Sequence, residues 1–127
     1  MDRIMFADDT PDNPEDGIYW IMREHGTNAP IGFSGMRLLS GEPGCALRTR
    51  SGVLKAARGK GLQKRLIRVS QDYCSDNGIH TLLATTTGWN TWSSNNFIKC
   101  GFKLYDPQWH WMDVGTLYWK WHPHGLV

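Results

Sequence analysis

No stretch of this sequence stays apolar for the ~20 residues that a bilayer-spanning helix needs, and none is a low-complexity tract or an internal repeat. Cysteine is sparse. Cys45, Cys74 and Cys100 form an odd, widely spaced set without a C-x-x-C pair, which argues against a disulfide framework and a structural zinc site. His122 and His124 lie close together, as His-Pro-His, but two histidines near a chain end are not a ligand set, and no metal is expected. The Gly-Lys pair at Gly59-Lys60 is not followed by Ser or Thr, which excludes the Walker A pattern. The dinucleotide pattern needs a third glycine where Lys64 stands. Met1-Asp2-Arg3 leads into acidic, Pro-containing sequence rather than an apolar signal region, so a cytoplasmic location and no membrane partner are expected.

What is present suits one globular domain over 1–127. Apolar residues make up 40% and charged residues 20% of the 127, and a chain of this length buries roughly two thirds of its unfolded surface. The net charge is only +2, but it is unevenly spread. Residues 1–16 carry Asp2, Asp8, Asp9, Asp12, Glu15 and Asp16 against Arg3 alone. Residues 48–71 hold eight basic residues and no acid. Such a segment reads either as a solvated basic face or as a site for a phosphate-bearing ligand.

Hydrophobic periodicity divides the chain. Residues 8–17 are rich in Asp and Pro and read as a loop. Residues 18–23 and 31–39 read as a hairpin of two strands, and 45–54 as a third strand. The period then changes: Leu62, Leu66, Val69 and Tyr73 define one face of a helix from about Lys60 to Asp76, with Gly78 placed to cap its end. Ile79–Thr87 reads as a buried strand, 93–100 as a short helix ended by Gly101, and Phe102–Tyr105 and Thr116–Trp121 as strands. Strand, helix and strand in succession imply a right-handed crossover and a parallel pair. The fold class is therefore mixed α+β or α/β, a central sheet with helices against it.

The informative junction is Arg58-Gly59-Lys60-Gly61-Leu62-Gln63, between the third strand and the long helix. Glycines at a helix start let the unpaired N–H groups approach a ligand, and the helix dipole favours an anion there. Arg58, Lys60 and Lys64 add charge. By itself the loop reads equally as a phosphate cradle or as a tight turn with solvated lysines.

Here the sequence resembles the GNAT superfamily of N-acetyltransferases, whose signature is Arg/Gln-x-x-Gly-x-Gly/Ala at this junction. Gln63 stands where the family usually has a small residue. A second stretch keeps the same register: Asn90, Ser93, Phe97 and Gly101-Phe102 match the family's Asn, Ala or Ser, Tyr and Gly-Phe, with Phe97 in place of Tyr. The resemblance covers about residues 18–121. It implies a single domain with a mixed sheet whose parallel strand pair splays apart, flanked by helices. Residues 1–17, a short acidic segment, take the place of the family's first strand and first helices.

The resemblance also implies acetyl-CoA as co-substrate and direct transfer of its acetyl group to a primary amine, borne by a small molecule or a protein. Arg58, Gly59, Lys60, Gly61, Leu62, Gln63 and Lys64 would hold the pyrophosphate. The backbone of Ser51, Gly52 and Val53 would pair with the pantetheine arm, beside Asn90 and Ser93. Acetyl transfer needs a base for the amine and a proton for the thiolate. Glu24, His110 and Asp113 are candidates for the base, and Tyr105 or Tyr118 for the acid. Trp109 and Trp111 fall after Pro107, outside the strand pattern, and are expected to wall the acceptor pocket, where an aromatic face holds a cationic amine. A homodimer is compatible with this reading. The alternatives are a GNAT fold that binds acyl-CoA or a partner with little turnover, and a nucleic-acid-binding module using 48–71. The latter is disfavoured, because few aromatics interleave that basic run.

Overall fold

The structure is a computed structural model that describes residues 3–6 and 17–123. Among the described residues seven strands form one sheet, in the order β1-β2-β3-β4-β5-β7-β6. They are β1 (Arg3–Phe6), β2 (Ile18–Arg23), β3 (Pro30–Leu38), β4 (Cys45–Val53), β5 (Thr81–Thr87), β6 (Lys103–Leu104) and β7 (Thr116–Trp121). Helix α1 (Leu62–Asp76) follows β4, and α2 (Thr91–Lys99) follows β5. Every strand pair is antiparallel except β4–β5. The expected hairpin, crossover, long helix and last strand are all present.

One strand was not legible in the sequence. Arg3–Phe6 pairs with β2, from Arg3↔Arg23 to Phe6↔Trp20. Four residues are too few to show a period, and this strand draws its regularity from the ladder that β2 offers. The sequence reading of 1–17 as a plain acidic segment is corrected to that extent. The loop expected at 8–17 lies outside the described residues, Gly17 excepted.

Alternation along the strands assigns the two faces of the sheet. Trp20, Met36, Ala46, Leu82, Ala84 and Trp119 point to the helices and pack with Ile67, Cys74, Phe97 and Phe102 in the main core. A second cluster of Met22, Ile31, Ala57, Leu62 and Leu66 lies under the start of α1 and anchors the glycine loop to the sheet. The end of α1 is closed as expected. Gly78 has φ +70°, and Ile79 N donates to Cys74 O at 3.0 Å, a left-handed cap that only glycine adopts without strain.

The parallel pair is short. Cys45, Ala46 and Leu47 pair with Thr81, Leu82 and Leu83, after which β4 and β5 run on unpaired to Val53 and Thr87. The cause lies on the other edge of β4. Between Ser34↔Ser51 and Met36↔Arg48, β4 spends one more residue than β3. That bulge bends and twists β4 away from β5, opening a wedge at the C-terminal ends of both strands.

Leu66 is 1% exposed and belongs to the small cluster under the loop. Leu66→Ala is expected to destabilise the fold by about 2–5 kcal/mol, whereas Ile98→Ala, at a position 57% exposed, is expected to stay within about 0.5 kcal/mol. Urea unfolding of both variants checks this.

Candidate active site

The backbone between β4 and α1 is built around two glycines. Gly59 has φ +81° and Gly61 φ +75°, and Gly61 is the N-cap of α1. Both are exposed, and a Cβ at Gly59 would meet nothing within 4 Å. Left-handed geometry rather than crowding therefore demands glycine here. Gly61 has no side chain to cap the helix, so the first N–H groups of α1 are left for a ligand or solvent. Leu62 is 4% exposed and anchors in the core, contributing to the loop only through its backbone. The Arg58 Nε donates to Val53 O at 3.2 Å, tying the loop to the end of β4.

A cavity of about 600 Å³ opens at this loop. Its walls include Ser51, Gly52 and Val53 of β4, Arg58 and Gly59 of the loop, and Asn90 and Ser93 at the start of α2. The structure thus brings most of the expected cofactor residues to one cleft. Lys60, Gly61, Leu62 and Lys64 do not line it with their side chains. Trp92 does, a contact the sequence reading missed.

Asn90 serves as the N-cap of α2, accepting from Ser93 N at 3.0 Å on its side-chain oxygen. The cap leaves the amide nitrogen of Asn90 unused, so a capping role and a cleft role are compatible in one residue. Gln63 does not direct its amide at the loop. It donates to Ser93 Oγ at 2.9 Å and accepts from Asn96 Nδ2, bridging α1 to α2.

A second cavity, about 260 Å³, shares Ser51, Gln63, Asn90 and Ser93 with the first and continues it between the parted strands. Arg48, Ala84 and Phe97 line it from the helix face, and Thr49 and Thr85 from the opposite face. It forms a passage between β4 and β5 whose lining comes from both faces of the sheet. Arg48 is 6% exposed, with its guanidinium carbon 5.5 Å from the centre of the Phe97 ring. Its Nε donates to Ser70 Oγ at 3.1 Å and an Nη to Ser34 Oγ at 2.5 Å. Burial pushes the Arg48 pKa down to about 10, which leaves it charged at neutral pH. Its hydrogen-bond partners are hydroxyls, and a buried charge without a counter-ion costs several kcal/mol. Thr49 Oγ1 is buried in the same region without a hydrogen-bond partner.

A third cavity, about 710 Å³, lies on the face of the sheet away from the helices. Cys45, Leu47 and Leu83 form its floor, and Tyr105, Trp109 and Trp111 lie along its rim. The two tryptophans expected at an acceptor pocket therefore do share a cavity. Trp111 packs edge-on against Tyr118 at 4.6 Å, and Trp109 is 75% exposed. Glu42 also lines this cavity. It belongs to Gly41-Glu42-Pro43-Gly44, the turn between β3 and β4, and was not among the expected site residues.

The expected acid and base groups are scattered. Glu24 sits in the β2–β3 turn, accepting from Thr27 Oγ1 at 2.9 Å, and lines none of these cavities. His110 is paired with Asp106 at 2.6 Å on the surface, and Asp113 is an exposed loop residue. The structure does not bring these three to the cleft. Tyr105 does line the aromatic cavity. Burial, with Cys45, Glu42 and Tyr118 nearby, pushes its phenol up to about 12, so it can donate a proton but does not serve as a base near neutral pH. Tyr118 OH accepts from Met112 N at 3.0 Å. Neither cavity on the cofactor side is lined by a carboxylate or an imidazole.

With this geometry in view, the family is plain. The chain matches the acetyltransferase (GNAT) family model over residues 2–102, and it belongs to that family. No curated protein sequence matches it. Solved structures share its fold at low identity. The IAA acetyltransferase of Bacillus cereus ATCC 14579 is 18% identical with a TM-score of 0.69, over 84% of this chain and 77% of that one. The phosphinothricin acetyltransferase of Sinorhizobium meliloti, in complex with AcCoA, is 19% identical with a TM-score of 0.69, over 85% and 62%. The ribosomal-protein-S5-alanine acetyltransferase of Vibrio fischeri is 14% identical with a TM-score of 0.71, over 86% and 63%.

The cysteines are free and buried. Burial, reinforced by Glu42, pushes the Cys45 thiol up to about 11; burial, with Cys45 nearby, pushes Cys74 up to about 12. Neither is expected to label with a thiol-specific disulfide reagent at pH 8 until the protein unfolds. Rapid labelling of either in the native protein, located by peptide mass, would contradict this.

Proposed function

We propose that this chain transfers an acetyl group from acetyl-CoA directly to a primary amine. One observation supports the reading: an anion-receptive loop at the start of α1 opens into a cleft that continues between the parted ends of β4 and β5. Arg58, Lys60 and the backbone of Gly59, Gly61, Leu62, Gln63 and Lys64 would hold the pyrophosphate. The free edge of Ser51, Gly52 and Val53 would pair with the pantetheine amides as a strand would. Acetyl-CoA would supply the activated acyl group. Asn90 and Ser93 would flank it, and the protein's part is to align it and exclude water.

The amine would approach from the aromatic cavity, where Trp109 and Trp111 present ring faces to a cation. Of the five candidates for acid and base roles, Tyr105 alone lines that cavity, and Glu42 supplies its carboxylate. The family relatives act on acceptors as different as phosphinothricin and a ribosomal-protein alanine, by their names, so both a small molecule and a protein stay within the proposal. A cytoplasmic location belongs to the same reading; among the described residues no helix is long and apolar enough to cross a membrane.

A second reading has a specific observation behind it. Phe97 cannot donate a proton, and no other acid lines the passage, which favours a protein that binds acyl-CoA with little turnover. Calorimetry with acetyl-CoA, followed by thiol release across an amine library, separates the two: binding without release supports the second reading.

Two variants test the site itself. A Cβ at Gly61 would meet only Lys64 Cε, at 3.9 Å, so Gly61→Trp is expected to keep the fold at a cost of about 1–2 kcal/mol in backbone strain. Its acetyl-CoA affinity is expected to fall at least roughly tenfold, since the loop N–H groups become inaccessible; unchanged binding removes the loop from the site. Replacing Trp109 and Trp111 together by Ala is expected to raise the acceptor KM about tenfold while acetyl-CoA affinity holds. The reverse order would remove them from the acceptor pocket.

A further inference from the structure

The passage between β4 and β5 is lined by one charged group, and that group is a cation. Around Arg48 stand threonine, serine, glutamine and asparagine side chains and the Phe97 ring. The titratable group nearest it from the end of α2 is the Cys100 thiol, whose influence is smaller than that of burial. From β3 and α1 the guanidinium meets only the hydroxyls of Ser34 and Ser70. These two bonds hold it in place without neutralising it.

A fixed buried cation facing a cavity is complementary to negative charge that arises there. Acyl transfer creates such a charge. A C–N bond forms, the C–S bond breaks, and its electron pair leaves on sulfur as a thiolate. The amine's proton passes to solvent, and the thiolate is protonated from water afterwards. The passage offers the thiolate no acid to protonate it as it forms, but it offers a positive charge already oriented.

We propose that Arg48 stabilises the departing CoA thiolate by its charge, in place of a proton donor. This rests on the acetyl-transfer reading above. The arrangement favours the transition state over the ground state, because the neutral thioester leaves the guanidinium uncompensated and the thiolate does not. Ser34 and Ser70 act as positioning residues.

Titration of bound CoA tests this without knowledge of the acceptor. CoA is bound to the protein, and thiolate formation is followed by its ultraviolet absorbance as pH rises, against the same protein without CoA. Cys45 and Cys74, pushed up to about 11 and 12, do not interfere near neutral pH. Burial by itself would raise the CoA thiol pKa. The expected result is a bound thiol that ionises at least about one pH unit below free CoA, with R48Q returning it to or above the free value and R48K between them. A wild-type thiol that ionises at or above the free value overturns the proposal, whether or not R48Q folds. An equal downward shift in wild type and folded R48Q, checked by circular dichroism, also overturns it. If calorimetry shows that CoA does not bind the wild-type protein, the acetyl-transfer reading fails first, and this proposal with it.

Discussion

Everything at the site depends on β4 and β5 being parallel and yet pairing over only three residues. A ladder that continued to Val53 and Thr87 would close the sheet, and the glycine loop would end in a solid surface. The extra residue in β4 opposite Ser34–Met36 bends the strand, and the ladder is lost beyond Leu47. Backbone groups along that free edge need partners. Arg58 takes the carbonyl of Val53, and the rest of the edge is left facing the cleft. The same bend sets Thr49 and Arg48 beside the opening, one toward each face.

The two helices keep the wedge open. α1 is fixed at its start by Leu62 and Leu66 in the small cluster, and α2 by Phe97 against Phe102 and Trp119 in the large one. Gln63 joins them through Ser93 and Asn96. A small residue at position 63 would free the loop but lose this bridge. In this chain the glutamine side chain ties the helix that carries Asn90 and Ser93 to the one that begins at the glycine loop.

Much of this was legible in the sequence because local rules carry it. Left-handed glycines, the four-three-four spacing of α1 and the strand pattern of β7 each depend on neighbours within a few residues. What was not legible depends on contacts far apart in the chain. β1 exists because β2 pairs with it. The bulge appears only when β3 and β4 are set in register. Arg48 looked like one more charge in a basic run until Ser34, Ser70 and Phe97 closed around it. Glu42 read as a turn residue until the segment bearing Trp109 and Trp111 placed a cavity beside it. Conversely, Glu24, His110 and Asp113 had the right chemistry for a base, but position in the fold decides, and each lies apart from the cleft.

The fold also sorts the basic run that suggested a nucleic acid. Its residues do not form one stripe. Arg48 is buried in the helix face of the sheet, Arg58 is tied to the end of β4, and Lys60 is exposed on the loop. A polyanion needs cations in series along a surface. Here only Arg58 and Arg48 line the cleft, at different depths, while Arg50, Lys55, Lys60 and Arg68 are exposed outside its lining. On the proposed function, Arg58 would lie near the pyrophosphate and Arg48 near the sulfur. That ordering follows the length of a CoA thioester, from its charged end to its reacting end.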